Sequence, residues 1–410
     1  MIEIILITIL AIWVFIELII KKIVIDVNKQ FPWLIIKKDE KPSLSKIGLE
    51  KFFEHGYDSE LGWVRKPNTS HEEIGKYGKT FWNIDEKGSR KNSFSKINNI
   101  KISCYGDSFT FCRQVNDNET WEYQLSKLSK TNVQNFGVGN YGIDQALLRL
   151  KREFSSNNTE IVLMGVVPDT ISRILSMWKH YYEYGNTFGF KPKFKFNEGK
   201  LELLKNPIDD EEKFFRYGEK IPYIQKNDFF YKNKFKKEII NFPYSLTILK
   251  NFSRNFKIIN FVNKIERRKS NNMNVKDIAW NPMEVIMKIN LNWRIKLFTD
   301  ENSLILLEEI IKEFVNYSAK KFVPIFMWLP QKDDILFIKE NYHFYESFNQ
   351  KLKNIDDLIF IDVTKYLIQE KNIDQLYSDN NDYGGHFSKE GNEIIAEIIK
   401  EFLENKKLIS

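Results

Sequence analysis

The chain is 410 residues long, more than one typical domain, so we expect a core domain with additional segments. Phe, Tyr and Trp make up 15% of the residues, which excludes an intrinsically disordered chain. The net charge of +7 combines 62 basic with 55 acidic residues, and this mixture excludes the concentrated positive charge of a nucleic-acid-binding protein.

The chain begins with an almost continuous aliphatic run, residues 2–20, in which the only charges are Glu3 and Glu17. As a helix with about 1.5 Å per residue it is roughly 28 Å long, close to the thickness of a hydrocarbon core. We expect Glu17 to be neutralised by Lys21, one turn later. A cleaved signal peptide would need a basic start and a small-x-small cleavage site, and the sequence has neither. Residues 1–22 are therefore predicted to be a single-pass membrane anchor.

Short apolar, β-branched runs alternate with helical patterns in two parts of the chain. The predicted strands are 100–105, 133–136, 160–166, 322–328 and 358–363. The predicted helices are 120–130, 145–154, 304–321, 340–353 and 389–404. Such alternation predicts an α/β fold in which helices cover both faces of a parallel sheet, a three-layer α/β/α sandwich.

Two regions interrupt this alternation. Residues 23–98 form a juxtamembrane or pre-domain region with a short strand at 80–84, and residues 181–299 read as an inserted α+β segment. The insertion contains a hairpin pattern at 194–203 and a basic helical pattern at 250–269. The basic helix is either a solvated charged face or a contact with membrane or an anionic glycan. The expected division of the chain is 1–22, 23–98, 99–180, 181–299 and 300–410.

The first predicted strand runs into Gly106-Asp107-Ser108 and is followed by a helix. A serine at a tight strand-to-helix turn exposes its hydroxyl beside unpaired backbone N–H groups, the position that an acyl-transfer nucleophile needs. His386, one of only five histidines, lies in a Gly-rich turn before the last helix, with Asp382 four residues upstream. A serine nucleophile needs such a base, and the base needs an orienting acceptor on its other nitrogen.

The two cysteines, Cys104 and Cys112, have no C-x-x-C motif or histidine cluster beside them, so no metal site is expected. We expect Cys104 to be a small buried side chain of the first strand. Cys112 should pack beneath the serine turn.

These motifs resemble the SGNH/GDSL hydrolase superfamily, and in particular its membrane-anchored members found among bacterial surface-polysaccharide proteins. The resemblance is carried by residues 106–108, 135–142 and 385–392, and residues 60–68 resemble the pre-domain stretch of that subgroup. It implies a flavodoxin-like, mostly parallel sheet and chemistry on ester bonds through a serine ester, without cofactor or metal. The implied substrate is an acylated carbohydrate or another small ester.

The resemblance also assigns roles to single residues. Ser108 would be the nucleophile and His386 the base, while the backbone N–H groups of Ser108 and Asn140 would hold the oxyanion. Asn140 stands where the family has a glycine. Asparagine is well suited to replace glycine at a left-handed backbone position, so the donor is expected to be kept.

Two positions depart from the family pattern. The acid that orients the histidine usually lies two or three residues before it, but Gly384 and Tyr383 occupy those positions here. Asp382 is the favoured replacement, and Asp379 is the alternative. The third oxyanion donor, an asparagine after the third strand, is replaced by Pro168. Losing one such donor costs roughly 10²–10³ in rate unless another group, the Asn140 amide or Arg173, takes its place.

The sequence therefore predicts a serine esterase or O-acyltransferase with a Ser108–His386–Asp382 site. The alternative is a catalytically weak or inactive member that binds a glycan or a partner protein, with Trp178, Tyr181, Tyr182 and Tyr184 as candidates for stacking on sugars. Lysines follow the anchor while none precede it, which places the main domain in the cytoplasm, whereas the family resemblance favours the envelope side. The side of the membrane and the oligomeric state are not predicted.

Overall fold

The computed structural model describes residues 1–94, 100–270, 281–379 and 384–409. The strands are β1 (Tyr57–Asp58), β2 (Gly62–Trp63), β3 (Ser70–Gly75), β4 (Gly78–Asn83), β5 (Ile100–Gly106), β6 (Asn132–Gly137), β7 (Ile161–Val166), β8 (Lys193–Asn197), β9 (Lys200–Leu204), β10 (Val323–Trp328) and β11 (Ile359–Asp362). The helices that precede residue 200 are α1 (Ile2–Gln30), α2 (Lys46–His55), α3 (Trp121–Ser129), α4 (Ile143–Glu153), α5 (Thr170–Arg173) and α6 (Lys179–Tyr182). The later ones are α7 (Glu211–Phe215), α8 (Ile221–Asn227), α9 (Phe229–Asn233), α10 (Tyr244–Lys250), α11 (Phe252–Ser270), α12 (Asn281–Leu297), α13 (Glu301–Ser318), α14 (Lys332–Glu340), α15 (Glu346–Leu352), α16 (Thr364–Leu367) and α17 (Lys389–Asn405).

Strands β5, β6, β7, β10 and β11 form one parallel sheet in the spatial order β11-β10-β7-β5-β6. Numbered along the chain this is the order 2-1-3-4-5, the flavodoxin-like arrangement, so the predicted fold class is confirmed. All five predicted strands are present. The chain reverses its direction of winding between β5 and β7, and ligands of such sheets bind at the carboxyl ends of the strands beside that reversal.

The sheet is covered on both faces because successive strand side chains point in opposite directions. Tyr105 of β5 packs in a cluster with α4 and α13, whereas Cys104 packs in the cluster of α3 and α17. Cys104 and Cys112 are both buried, as predicted. Burial of both faces explains why these strands are apolar throughout.

Outside the sheet the chain contains the hairpin predicted at 194–203, and the strand predicted at 80–84 also belongs to a hairpin. β3 pairs with β4 and β8 with β9, both antiparallel, and the second hairpin turns at Glu198-Gly199 with positive φ at both residues. The prediction of one helix over 340–353 is wrong, because α14 ends at Glu340 and α15 begins only at Glu346. The non-helical link lets Phe344 and Tyr345, although adjacent in sequence, both reach the core.

Helix α1 has the length and hydropathy of a membrane span and most of it is exposed. The predicted pairing of Glu17 with Lys21 is wrong. The Glu17 carboxylate instead accepts hydrogen bonds from the backbone N–H groups of Tyr244 (2.6 Å) and Ser245 (3.0 Å) and from the Ser245 hydroxyl. The first N–H groups of a helix lack partners within it, so the carboxylate caps the start of α10.

Candidate active site

Ser108 and His386 meet at the carboxyl edge of the sheet. Ser108 follows β5, His386 precedes α17, and Ser108 Oγ lies 2.8 Å from His386 Nε2. Each residue is only 7% exposed, so the pair is shielded from bulk water but still reachable. The structure brings these two predicted residues together although 278 positions separate them.

The turn that carries Ser108 is built by its neighbours. The buried Asp107 carboxylate accepts hydrogen bonds from the N–H groups of Phe109 (2.8 Å) and Val167 (2.9 Å) and lies 3.0 Å from Arg173 Nη1. Gly106 is required because a Cβ there would lie 1.8 Å from the Gly165 carbonyl oxygen. Asp107 therefore ties β5 to the end of β7 and fixes the backbone that presents Ser108.

The acceptor beside His386 Nδ1 is an amide that the sequence did not suggest. Gln114 Oε1 lies 2.9 Å from Nδ1 and also accepts hydrogen bonds from the backbone N–H of His386 (2.9 Å) and the Ser378 hydroxyl (2.8 Å). Gln114 adopts a left-handed backbone conformation, φ 69°, as the chain after Ser108 doubles back. No spacing rule links Gln114 to His386, so only the folded chain reveals the contact.

Asp382 and Asp379 are the two acids predicted to orient His386. Asp382 lies outside the described residues. Asp379 borders the same cavity as Gln114 and His386, and its backbone N–H donates to the Gly384 carbonyl at 2.9 Å. The role of orienting acid thus stays a prediction for Asp382.

Burial of the imidazole, reinforced by the positive charges of Arg113 and Arg173, lowers the pKa of His386 well below its usual value of 6.5. At neutral pH the ring is therefore uncharged. A neutral imidazole has a free lone pair on one nitrogen, as a general base requires.

The turn after β6 carries Asn140, the residue predicted to supply the second oxyanion donor. Asn140 has φ 67°, which confirms the left-handed conformation predicted for it. Among the described residues, no acceptor is bonded to the backbone N–H of Ser108 or of Asn140. The turn is held from outside by Trp63, whose Nε1 donates to the Gly139 carbonyl at 2.9 Å. Both N–H groups are thus without an acceptor in the described part of the chain.

Pro168 follows β7 and occupies the position where the family has an asparagine as the third oxyanion donor. Arg173 is a predicted substitute for this donor. Its Nε donates to Asp169 (3.2 Å), and its Nη1 donates to Asp107 (3.0 Å) and to the Tyr141 carbonyl (2.9 Å). Its Nη2 has no acceptor in the described part of the chain. Arg173 therefore retains one uncommitted donor, although its main contacts are structural.

Two cavities border residues of the predicted site. A cavity of about 490 Å³ borders Gly139 and Asn140, and a smaller one of about 180 Å³ borders Gln114 and His386. Arg113 lines both cavities.

One group of side chains has the composition of a metal site. His343, Glu346 and Asp362 lie close together at the carboxyl end of β11, of which Asp362 is the last residue. Their oxygens are already engaged, since Asn349 donates to Asp362 at 2.9 Å and Lys365 lies 3.2 Å from Glu346. A lysine ammonium at this distance occupies the position that a cation would need, so the group forms an internal polar network.

No protein-family model and no curated protein matches the chain. Solved structures do show similarity. A protein from Desulfitobacterium hafniense DCB-2, described as lipolytic and of the G-D-S-L family, is 15% identical over 74% of this chain and 99% of that one, with a TM-score of 0.31. A lipase/acylhydrolase from Enterococcus faecalis is 13% identical over 75% of this chain and 96% of that one, with a TM-score of 0.33. Similarity at this level says nothing about the activity of this chain.

Proposed function

We propose that the chain is a serine esterase or O-acyltransferase that acts on ester bonds through an acyl-enzyme. The observation that carries this proposal is the 2.8 Å contact between Ser108 Oγ and a buried, neutral His386 at the carboxyl edge of the sheet. Nucleophile and base within hydrogen-bond reach, with the base held on its other nitrogen, form the arrangement that activates a serine hydroxyl.

In the first half of the reaction His386 Nε2 takes the Ser108 proton while Oγ bonds to the ester carbonyl carbon. The negative charge that develops on the carbonyl oxygen is stabilised by the N–H groups of Ser108 and Asn140. As the tetrahedral intermediate collapses, the ester C–O bond breaks and the proton passes from His386 to the leaving alcohol. Ser108 is left acylated.

In the second half a water molecule or an acceptor alcohol attacks the acyl-enzyme. His386 takes the proton of the attacking hydroxyl and returns it to Ser108 Oγ as the serine ester breaks. Water gives a free acid and makes the protein a hydrolase, whereas an alcohol makes it a transferase. Both outcomes use the same residues.

Gln114 is the positioning residue in this proposal. Its amide oxygen accepts the Nδ1 proton and so leaves Nε2 free to face Ser108. An amide fixes the tautomer as a carboxylate would, but it contributes no negative charge to stabilise the imidazolium that forms during catalysis. Asp382 would add that charge if it reaches the site.

The proposed substrate is an acetyl ester of a carbohydrate, as implied by the family resemblance. The protein is proposed to be anchored in a membrane by α1. Retention of α1 is supported by its contacts with the rest of the chain. Val24 and Val27 are buried in a cluster with α11 and α12, and Glu17 caps α10. A segment that is removed during export would leave these partners exposed.

The test is hydrolysis of an aryl acetate by the full chain in detergent, with Ser108→Ala as the matched variant. We expect release of acetate by the wild type, loss of essentially all of it in Ser108→Ala, and labelling of Ser108 by a fluorophosphonate. Equal rates for wild type and variant would refute the proposal.

The alternative is a catalytically weak or inactive binding protein, favoured by Pro168 in place of an oxyanion donor. The aromatic residues suggested for sugar stacking give it little support, because Trp178, Tyr181 and Tyr182 are buried in the core. Glycan binding that survives Ser108→Ala in a chain without turnover would support this alternative.

A further inference from the structure

The stretch at 60–68 contacts the second oxyanion turn. Trp63 donates its indole N–H to the Gly139 carbonyl at 2.9 Å and accepts the hydroxyl of Tyr141 at its own carbonyl. Gln145, in the helix that follows the turn, donates to the Leu61 carbonyl at 2.7 Å. These contacts fix the path of the chain around Trp63 and place the next residues beside the proposed oxyanion hole.

Arg65, two residues after Trp63, lies beside this turn. Its guanidinium carbon lies 4.6 Å from the ring centre of Trp82 and 4.8 Å from that of Phe111, and both rings are buried. A Cβ on Gly139 would lie 3.8 Å from Arg65 Nη2, so the guanidinium is adjacent to the turn that carries Asn140. Aromatic rings hold a guanidinium by its faces and leave the N–H donors at its edge available.

Glu73, which is paired with Arg113, is the carboxylate that attracts the Arg65 charge from nearby without contacting it. Among the described residues, no carboxylate forms an ion pair with Arg65 and no acceptor is hydrogen bonded to it. Burial, reinforced by the nearby positive charge of Arg113, lowers the pKa of Arg65 to about 10. The guanidinium therefore remains protonated at neutral pH, and a partly buried cation without a partner favours an anionic ligand.

The cavity of about 490 Å³ beside Asn140 is cationic around Arg65. Lys51, Arg113 and Lys179 also line it, and no carboxylate does within the part of the chain that the structure describes. Arg113 is paired with Glu73 at 2.6 Å and Lys179 with Glu183 at 3.0 Å, each outside the lining. Among the described residues, Arg65 and Lys51 are the lysine and arginine side chains of the lining that form no ion pair.

We propose that this cavity is an anion subsite, in which Arg65 binds a carboxylate or phosphate group of the ester substrate. The inference rests on the proposed function, which assigns the N–H of Asn140, a residue of the cavity lining, to the oxyanion of the ester. A guanidinium offers parallel N–H donors that match the oxygens of either group, and such charge-assisted pairs are strong in a partly buried site. The favoured substrate is therefore an acylated acidic carbohydrate rather than a neutral one.

The experiment compares three acetyl esters: a methyl glucuronide ester with a carboxylate, a glucose 6-phosphate ester, and a neutral methyl glucoside ester. We expect the wild type to have a kcat/KM at least tenfold higher for an anionic ester than for the neutral one. Arg65→Met keeps an apolar side chain against the aromatic rings and should reduce this preference about 10- to 100-fold. The larger of the two anionic preferences identifies the group.

The control is Arg216→Met, which removes an exposed cation at the end of α7 and should leave the preference of the wild type unchanged. Arg65→Lys keeps the charge without the paired donors and should restore only part of the preference. A wild-type preference near one, or the same preference in Arg65→Met as in the wild type, would overturn the subsite while leaving the esterase proposal intact.

Binding of the unacylated sugars separates the subsite from the chemistry. Methyl glucuronide or glucose 6-phosphate should bind the Ser108→Ala chain at least tenfold more tightly than methyl glucoside, as measured by calorimetry, and Arg65→Met in that chain should abolish the difference. This result would stand even if no ester were turned over. Equal affinities for all three sugars would count against the subsite whatever the esterase assay gives.

Discussion

The contact that most affects the expected chemistry is the one between His386 Nδ1 and Gln114 Oε1, 2.9 Å apart. Gln114 also accepts the backbone N–H of His386, so it holds both the ring and the main chain of the base. Because the acceptor is neutral, nothing at this contact raises the pKa of the imidazole. This agrees with the lowered pKa of His386, for which burial is the main cause.

The first prediction is a pH profile. His386 must be neutral to act as a base, and its pKa lies well below 6.5. The kcat/KM of the wild type should therefore stay constant down to pH 6.5 and fall only at lower pH. Gln114→Glu places a carboxylate against Nδ1 and stabilises the protonated ring, so the acidic limb should move to higher pH by about 1–3 units. The measurement is ester hydrolysis between pH 4 and 8. An unchanged limb in Gln114→Glu would mean that residue 114 does not contact the base during catalysis.

The second prediction identifies the orienting group. Gln114→Ala should cut turnover by roughly 10²–10⁴, because the imidazole loses its tautomer and position, while Gln114→Glu should restore much of it. Asp382→Asn serves as the comparison, with Asp379→Asn expected to be nearly silent. Loss of turnover in Asp382→Asn but not in Gln114→Ala would return the role to the aspartate predicted from the sequence.

At the scale of elements, close backbone packing shapes the serine turn. A Cβ on Gly137 would lie 2.3 Å from the Phe111 nitrogen, just beyond the nucleophile. The third prediction is that Gly137→Ala destabilises the protein by about 1–3 kcal/mol and lowers its thermal midpoint. Gly139→Ala, where the nearest atom is 3.8 Å away, is the control and should melt like the wild type. Equal thermal midpoints for the two variants would show that Gly137 is not tightly packed against Phe111.

The contact between α1 and α10, in which Glu17 caps the start of α10, also acts between elements. The fourth prediction is that Glu17→Leu removes the cap of α10 at a cost of about 0.5–2 kcal/mol. Hydrogen exchange at residues 244–250 of the detergent-solubilised chain should become faster. Glu3→Leu, at an exposed position of the same helix, should not change it. Unchanged exchange in Glu17→Leu would show that the cap contributes nothing to the stability of α10.

For the whole molecule, α1 and α10 together imply a second contact with lipid. The Trp13 ring lies 5.8 Å from that of Phe242, so the start of α10 lies beside the middle of the apolar helix. The side chains of Phe242, Leu246 and Leu249 are 62%, 52% and 63% exposed. If α1 spans the bilayer, we expect Phe242, which lies beside Trp13, to be within it, together with the exposed Leu246 and Leu249 of the helix that follows.

The fifth prediction tests this arrangement in nanodiscs. A solvent-sensitive fluorophore on Leu249→Cys should show blue-shifted emission and be quenched by spin-labelled lipids. The same label on Tyr77→Cys, 73% exposed in the turn between β3 and β4, should report water. The two natural cysteines are buried and will not interfere. Emission from position 249 that matches position 77 would place α10 outside the membrane.

The sequence by itself determined the fold class and predicted the contact between Ser108 and His386. Buried parallel strands must be apolar on both faces, and this local rule made all five strands recognisable. Ser108 and His386 were identified because short turn motifs at fixed distances from a strand and a helix are also local. The left-handed backbone at Asn140 followed from the same kind of reasoning.

Tertiary structure decided which side chains surround that pair. Gln114 reaches His386, Glu17 reaches Ser245 instead of Lys21, and Arg65 reaches the turn at Gly139 through contacts between segments far apart in sequence. The break between α14 and α15 has the same origin, because two adjacent aromatic residues are both drawn into the core. Local propensity and spacing describe a segment and its near neighbours. The partners of a polar side chain depend on how distant segments pack, and no local pattern contains that information.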